Sequence, residues 1–438
     1  MIRRLATFAL SSLLLPISAL AADIFDVEQA ATSVDDAVRD WRRDIHAHPE
    51  LGNREFRTAE LIAEHLRAIG LEDVKTGVAH TGVTGILRGG KPGRRLALRA
   101  DMDALPVAEE TGLPFASAVT TEYRGQKTGV MHACGHDAHT AILMGVAQAL
   151  AAHRDELAGE ILFVFQPAEE GAPEGEEGGA PLMLKEGLFE DFKPEAIFGL
   201  HVHASLNVGE IGYRSGPFMA AADFFSITVH GRQTHGSRPW NGVDPVAISA
   251  ELIGSAQQIV SREVNISRLP VVVSFGAING GIRHNIIPDD VEMIGTIRTF
   301  DEDMRADVHE RLKRIAEHTA AAHGATVSYE IPLPGANPVT VNDPALMEQM
   351  LPALEASVAP GKLKAIDRTM GGEDFSQYAL QVPGLFIFVG STPPGVDPQT
   401  APSNHSPKYF VDEEALKVGV RAMLNLTQRF LTMSAADS

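Results

Sequence analysis

Three stretches of this chain, residues 161–165, 196–200 and 385–389, contain no polar side chain. A half-exposed strand alternates apolar and polar residues, so runs of this kind need cover on both faces. Segments nearby supply it. Residues 34–46, 55–68, 138–152, 344–356 and 413–431 carry helical periodicity, and the second of these closes at Gly70. Shorter apolar runs at 83–87 and 96–98 read as further strands. Strands buried on both faces and separated by helices specify a layered α/β fold.

Between about 218 and 332 the pattern becomes self-contained. Strand, helix, strand, strand, helix and strand are predicted over 224–230, 245–260, 271–277, 291–298, 304–323 and 326–331. This βαββαβ order is ferredoxin-like, with both helices on one face of an antiparallel sheet. The expected organisation is one α/β domain in two parts, residues 23–216 and 333–438, interrupted by a smaller domain at 217–332.

The chain starts with Arg3 and Arg4, an apolar stretch over 5–20 and a small-x-small site at Ala19-Leu20-Ala21. That is the layout of a signal peptide over residues 1–21, and it predicts a periplasmic or secreted protein. The stretch is short for a spanning helix and Pro16 interrupts it; no later segment is apolar enough to span a membrane. Among 438 residues the formal charge is −20, which argues against a nucleic-acid partner because phosphate binding needs basic clusters.

The chemistry lies at the ends of the apolar runs, where open α/β sheets place their sites. The only cysteine, Cys134, is flanked by His132, His136, Asp137 and His139. A free cysteine is ordinarily a small buried hydrophobe. In an exported protein, surrounded by imidazoles, it reads instead as a metal ligand. The run at 161–165 leads into Glu169-Glu170, a pair able to divide the work, one carboxylate on metal and one taking a proton. The run at 196–200 leads into His201-Val202-His203; only one of the two imidazoles is expected to face inward, and His201, nearer the strand end, is the better candidate. Only one of Asp101 and Asp103 is expected to face the site. His405 is weak in isolation, since a lone loop histidine is usually just exposed.

Taken in order, Arg99-Ala100-Asp101-Met102-Asp103-Ala104-Leu105-Pro106, His132-Ala133-Cys134-Gly135-His136-Asp137, Pro167-Ala168-Glu169-Glu170, Gly199-Leu200-His201-Val202 and Met370-Gly371-Gly372-Glu373-Asp374-Phe375 resemble one family. It is the hippurate hydrolase, N-acyl-amino-acid amidohydrolase and indole-acetyl-amino-acid hydrolase branch of the aminoacylase/carboxypeptidase metallopeptidases. The resemblance implies a zinc-peptidase-like catalytic domain with a mixed sheet, and a βαββαβ lid that serves in dimerisation. It implies two divalent ions (Zn²⁺, Mn²⁺, Co²⁺ or Ni²⁺) on Cys134, His136, Glu170, His201 and His405. Glu169 would be the general base, and Asp103 would orient a ligand. In the lid, Gln233-Thr234-His235-Gly236-Ser237 would bring His235 to the scissile carbonyl from a partner subunit. Asn285 and Arg298 would hold the substrate, Arg298 through a carboxylate. Arg238-Pro239-Trp240-Asn241 and Arg283-His284 depart from the usual pattern, which bears on specificity and not on metal binding.

The implied reaction is hydrolysis of N-acyl-amino acids to a carboxylic acid and a free amino acid. A dipeptidase or carboxypeptidase with the same metal chemistry is the alternative within the class. A thiol hydrolase using Cys134 and His136 would leave Glu170, His201 and His405 without a role. A solute-binding protein with structural metals would leave the Glu169-Glu170 pair unexplained.

Overall fold

A computed structural model describes residues 24–433, so the signal-peptide segment lies outside the described residues. The larger sheet has eight strands, in the order Glu72–Val78, Gly82–Arg88, Ala158–Gln166, Lys91–Asp101, Ala196–Asn207, Gly384–Thr392, Ile211–Tyr213 and Leu363–Ala365. The four central strands, from Ala158–Gln166 to Gly384–Thr392, run parallel. Antiparallel pairings at both sides make the sheet mixed. Every residue of Gly384–Thr392 is buried.

Two cores explain that burial. On one face, Val34, Val38 and Ile45 of the helix Val27–Ala47 pack with Ile142 and Leu150 of His136–Ala152 and with Leu416, Leu424 and Phe430 of Glu414–Thr432. On the other, Phe375, Tyr378, Met183 and Phe192 pack on Ile197, Phe386 and Phe388. Each such side chain contributes about 1.5–3 kcal/mol on burial, so the central strands are the rigid floor from which their carboxyl-terminal ends project. Helix starts are fixed locally: Asp26, Asp301 and Asp343 cap with their carboxylates.

The smaller sheet has the order Val272–Asn279, Asp290–Thr299, Ala221–His230, Thr326–Glu330, all antiparallel. Helices Pro245–Gln258 and Glu302–Ala322 cover one face, with Ile248, Leu252, Val308 and Leu312 against Phe225, Ile227, Met293 and Ile297. The connections to the larger unit lie side by side, Gly216–Met219 pairing with Thr340–Asn342. No helix among the described residues is long and apolar enough to cross a membrane.

Candidate metal centre

The carboxyl-terminal ends of the parallel strands, and the loops that follow, bring together residues up to 271 positions apart in sequence. Cys134 Sγ lies 3.3 Å from His201 Nε2 and 3.2 Å from His405 Nε2. His405 Nε2 is 3.1 Å from Glu170 Oε1. Ligand atoms of Cys134, His136 and His201 lie within 4.8 Å of one another, as do those of Cys134, Glu170 and His405, and those of His136, Glu169 and Glu170. All five expected ligands and the expected base therefore sit in one cluster.

Backbone geometry makes the cluster possible. Gly135 adopts φ 99°, and a Cβ there would stand 2.4 Å from Val202 Cγ2, so only glycine turns the chain between Cys134 and His136. Ala168, just before Glu169, and His405 itself have φ of 51° and 71°, left-handed values that non-glycine residues adopt at a cost. Asn404 secures the junction, donating from Nδ2 to the carbonyls of Cys134 and Val202 at 3.0 and 3.1 Å.

The imidazoles are oriented from behind. His201 Nδ1 donates to the Val202 carbonyl at 2.7 Å, which leaves Nε2 facing Cys134. Burial lowers the His201 pKa well below its usual value, so the ring is a neutral donor. His203 stacks on Phe388 at 4.4 Å and lines the same cavity, so the expectation that only one of the two imidazoles faces inward is overturned, residues two apart on a strand sharing a face. The expectation that one of Asp101 and Asp103 would face away is overturned. Asp103 Oδ1 is 3.1 Å from His136 Nδ1, while Asp101 Oδ2 is 3.8 Å from Nε2 of the same ring. Residues two apart on an extended backbone share a face, and the chain leaving the strand at Asp101 keeps both carboxylates on the His136 side.

The donor set fits divalent cations. His136 Nε2 is buried and has no hydrogen-bond partner, although it points among Glu169, Glu170 and Asp101. Burial pushes the Cys134 thiol up, and Glu170, Glu169 and Asp101 push it further. Burial alone would lower His136, yet Asp101 and Asp103 raise it to about 10. So dense a negative potential around a buried thiol and imidazoles is what cations relieve, and thiolate with imidazole suits zinc or a late transition metal.

Sequence reasoning assigned no role to the support beneath Glu169. Arg99, fully buried, reaches Asp101, Glu373 and Asp374 at 2.8, 2.9 and 2.9 Å. Burial, then Glu373 and Glu170, raises the Glu169 pKa well above its usual value. His139 also went without a role; its Nδ1 sits 2.6 Å from Asp101 and its Nε2 accepts the Val202 N–H at 2.8 Å. Position in the histidine-rich run was the only sequence signal.

A cavity of about 1080 Å³ opens over the cluster, lined by Cys134, Glu169, Glu170, His201 and His405 and, from the smaller domain, by Arg298 and Phe224. Arg298 donates to backbone oxygens of Met370 and Ile297, both at 3.1 Å, and to the Thr296 hydroxyl. His235 and Asn285 do not line this cavity. His235 pairs with Ile286 in a two-stranded ribbon and is exposed, with Ser237 Oγ 2.9 Å from its Nδ1. Asn285 lies just before the second strand of the ribbon, its carbonyl accepting the Gly236 N–H at 2.9 Å.

The model of peptidase family M20/M25/M40 matches residues 97–429. The chain belongs to that family. It is 39% identical over 398 residues to thermostable carboxypeptidase 1 of Saccharolobus solfataricus, covering 90% of this chain and 96% of that one. It is 39% identical over 380 residues to N-acetylcysteine deacetylase of Bacillus subtilis, covering 86% and 92%. The crystal structure of Bacillus subtilis YXEP, described as a dinuclear metal binding peptidase of the M20 family, superposes with a TM-score of 0.76 at 34% identity, covering 91% and 99%. The protein is accordingly a metal-dependent M20 hydrolase of amide bonds.

Proposed function

We propose that this M20 enzyme hydrolyses N-acyl-amino acids, with acetyl, benzoyl or arylacyl groups, to a carboxylic acid and a free amino acid. The observation that carries the reading is one cavity holding both the donor cluster and the Arg298 guanidinium, chemistry for amide cleavage beside chemistry for a carboxylate. Two divalent ions on Cys134, His136, Glu170, His201 and His405 would activate water and polarise the scissile carbonyl. Glu169 takes the proton of the attacking water and returns it to the leaving nitrogen. Asp103 fixes the His136 ring. Arg298 holds the substrate carboxylate, and Asn285 contributes to substrate binding. His235 stabilises the developing oxyanion from a second copy of the chain, which accounts for its place outside its own cavity. The reading includes a homodimer, and export directed by residues 1–21.

The carboxypeptidase relative at equal identity supports a second reading, because Arg298 would serve a C-terminal carboxylate equally well. A panel of N-acetyl-, N-benzoyl- and aminoacyl-amino acids separates the two when release of free amino acid is measured. Turnover of the acyl substrates is expected. Turnover confined to peptides with a free amine overturns the N-acyl reading.

A further inference from the structure

The helix Val27–Ala47 reaches the donor cluster from behind, through side chains outside the cavity. Arg42, 1% exposed, donates from Nε to Asp137 Oδ2 at 2.8 Å. His46, one turn later, meets the same oxygen at 2.8 Å through Nδ1, and its Nε2 faces Glu109 Oε1 at 3.1 Å. Phe115 covers the Arg42 guanidinium, 4.8 Å from the ring centre. Asp137 directly follows His136 in the first turn of His136–Ala152 and is fully buried.

Stability alone is a poor account of this strut. Apolar side chains of similar volume commonly serve as well as a buried ion pair. The strut also leaves both Nη atoms of Arg42, Asp137 Oδ1 and both ring nitrogens of buried His132 without a hydrogen-bond partner. Most buried polar atoms are satisfied, so each of these costs free energy. What the arrangement provides is orientation. Two donors from a separate helix hold one oxygen of Asp137, and this fixes the turn through the left-handed Gly135 that carries Cys134 on one side and His136 on the other.

We propose that Arg42 and His46, acting through Asp137, are positioning residues that hold Cys134 and His136 in ligating geometry. The proposal rests on the assignment of those two residues as metal ligands. Cobalt reports it directly, because thiolate–cobalt charge transfer absorbs in the near ultraviolet. Asp137→Asn and Arg42→Met are expected to weaken Co²⁺ binding about 10- to 100-fold and to shift the charge-transfer band, while Arg42→Lys, which keeps a cationic donor, recovers most of the loss. Asp223→Asn, at a largely buried ion pair in the lid, lowers the melting temperature and leaves the band unmoved. Folded Asp137→Asn protein with wild-type Co²⁺ affinity and an unchanged band overturns the proposal, and decides alone where Arg42→Met does not fold. A wild-type protein lacking the band refutes the ligand assignment instead.

Discussion

His136 and Asp103 meet at 3.1 Å, Nδ1 to Oδ1, and the second Asp103 oxygen accepts the backbone N–H of Glu170 at 2.9 Å. One carboxylate therefore orients an imidazole and the turn bearing a neighbouring carboxylate donor. The Nδ1–H donates to Asp103, so Nε2 is the nitrogen that faces the cluster and would take a cation in place of its proton. Asp103→Asn is expected to weaken metal binding about 10- to 100-fold, measured by competition with a chelating dye. Wild-type affinity would reduce the contact to packing.

Glu169 is the carboxylate of the pair to which we assign proton transfer. Glu169→Gln should retain metal and lower kcat by about 10²–10⁴-fold. Steady-state kinetics beside metal analysis tests this. Loss of metal together with activity would reassign Glu169 as a ligand.

Arg298 reaches the cavity from the lid, anchored through backbone oxygens. A charge-assisted hydrogen bond contributes about 1.5–3 kcal/mol, so Arg298→Met should lower kcat/KM about 10- to 100-fold for substrates with a free carboxylate. Substrates whose carboxylate is amidated should show little change. An equal loss on both would remove the carboxylate contact from the account.

Within the lid, Asp223 takes Arg305 at 2.6 Å and His309 at 3.1 Å. Burial alone would raise its pKa, but hydrogen bonds from His309 and Arg305 hold it below the usual value. A carboxyl lowered in the folded state contributes stability above its unfolded pKa of about 3.9. That contribution disappears as pH falls through the folded value. Asp223→Asn should cost about 3–5 kcal/mol at pH 7, and its unfolding curve should converge on that of the wild type below pH ~4. A gap independent of pH would show that the ionised carboxylate is not its source.

The central strands were legible because residues such as 161–165 leave no polar face, and the donors were legible because they stand where those runs stop. The lid was legible through its change of periodicity. Glu72–Val78 was not, because an edge strand that is mostly exposed has no apolar pattern to read. The joint approach of Asp101 and Asp103 to His136 was legible in principle, because residues two apart on an extended segment share a face, and the expectation of opposite faces misapplied that period. Arg42 reaches Asp137, Asn404 reaches Cys134 and Arg99 reaches Asp374 across 95, 270 and 275 positions, and spacing along the chain does not encode such contacts.

The metal content of the purified protein tests the centre most directly, followed through chelation and reloading. Two divalent ions per chain are expected. Chelation should abolish amide hydrolysis, Zn²⁺, Mn²⁺, Co²⁺ or Ni²⁺ should restore it, and Cys134→Ser and His405→Ala should each lower the stoichiometry. Full hydrolysis by protein shown to be free of metal would contradict the account.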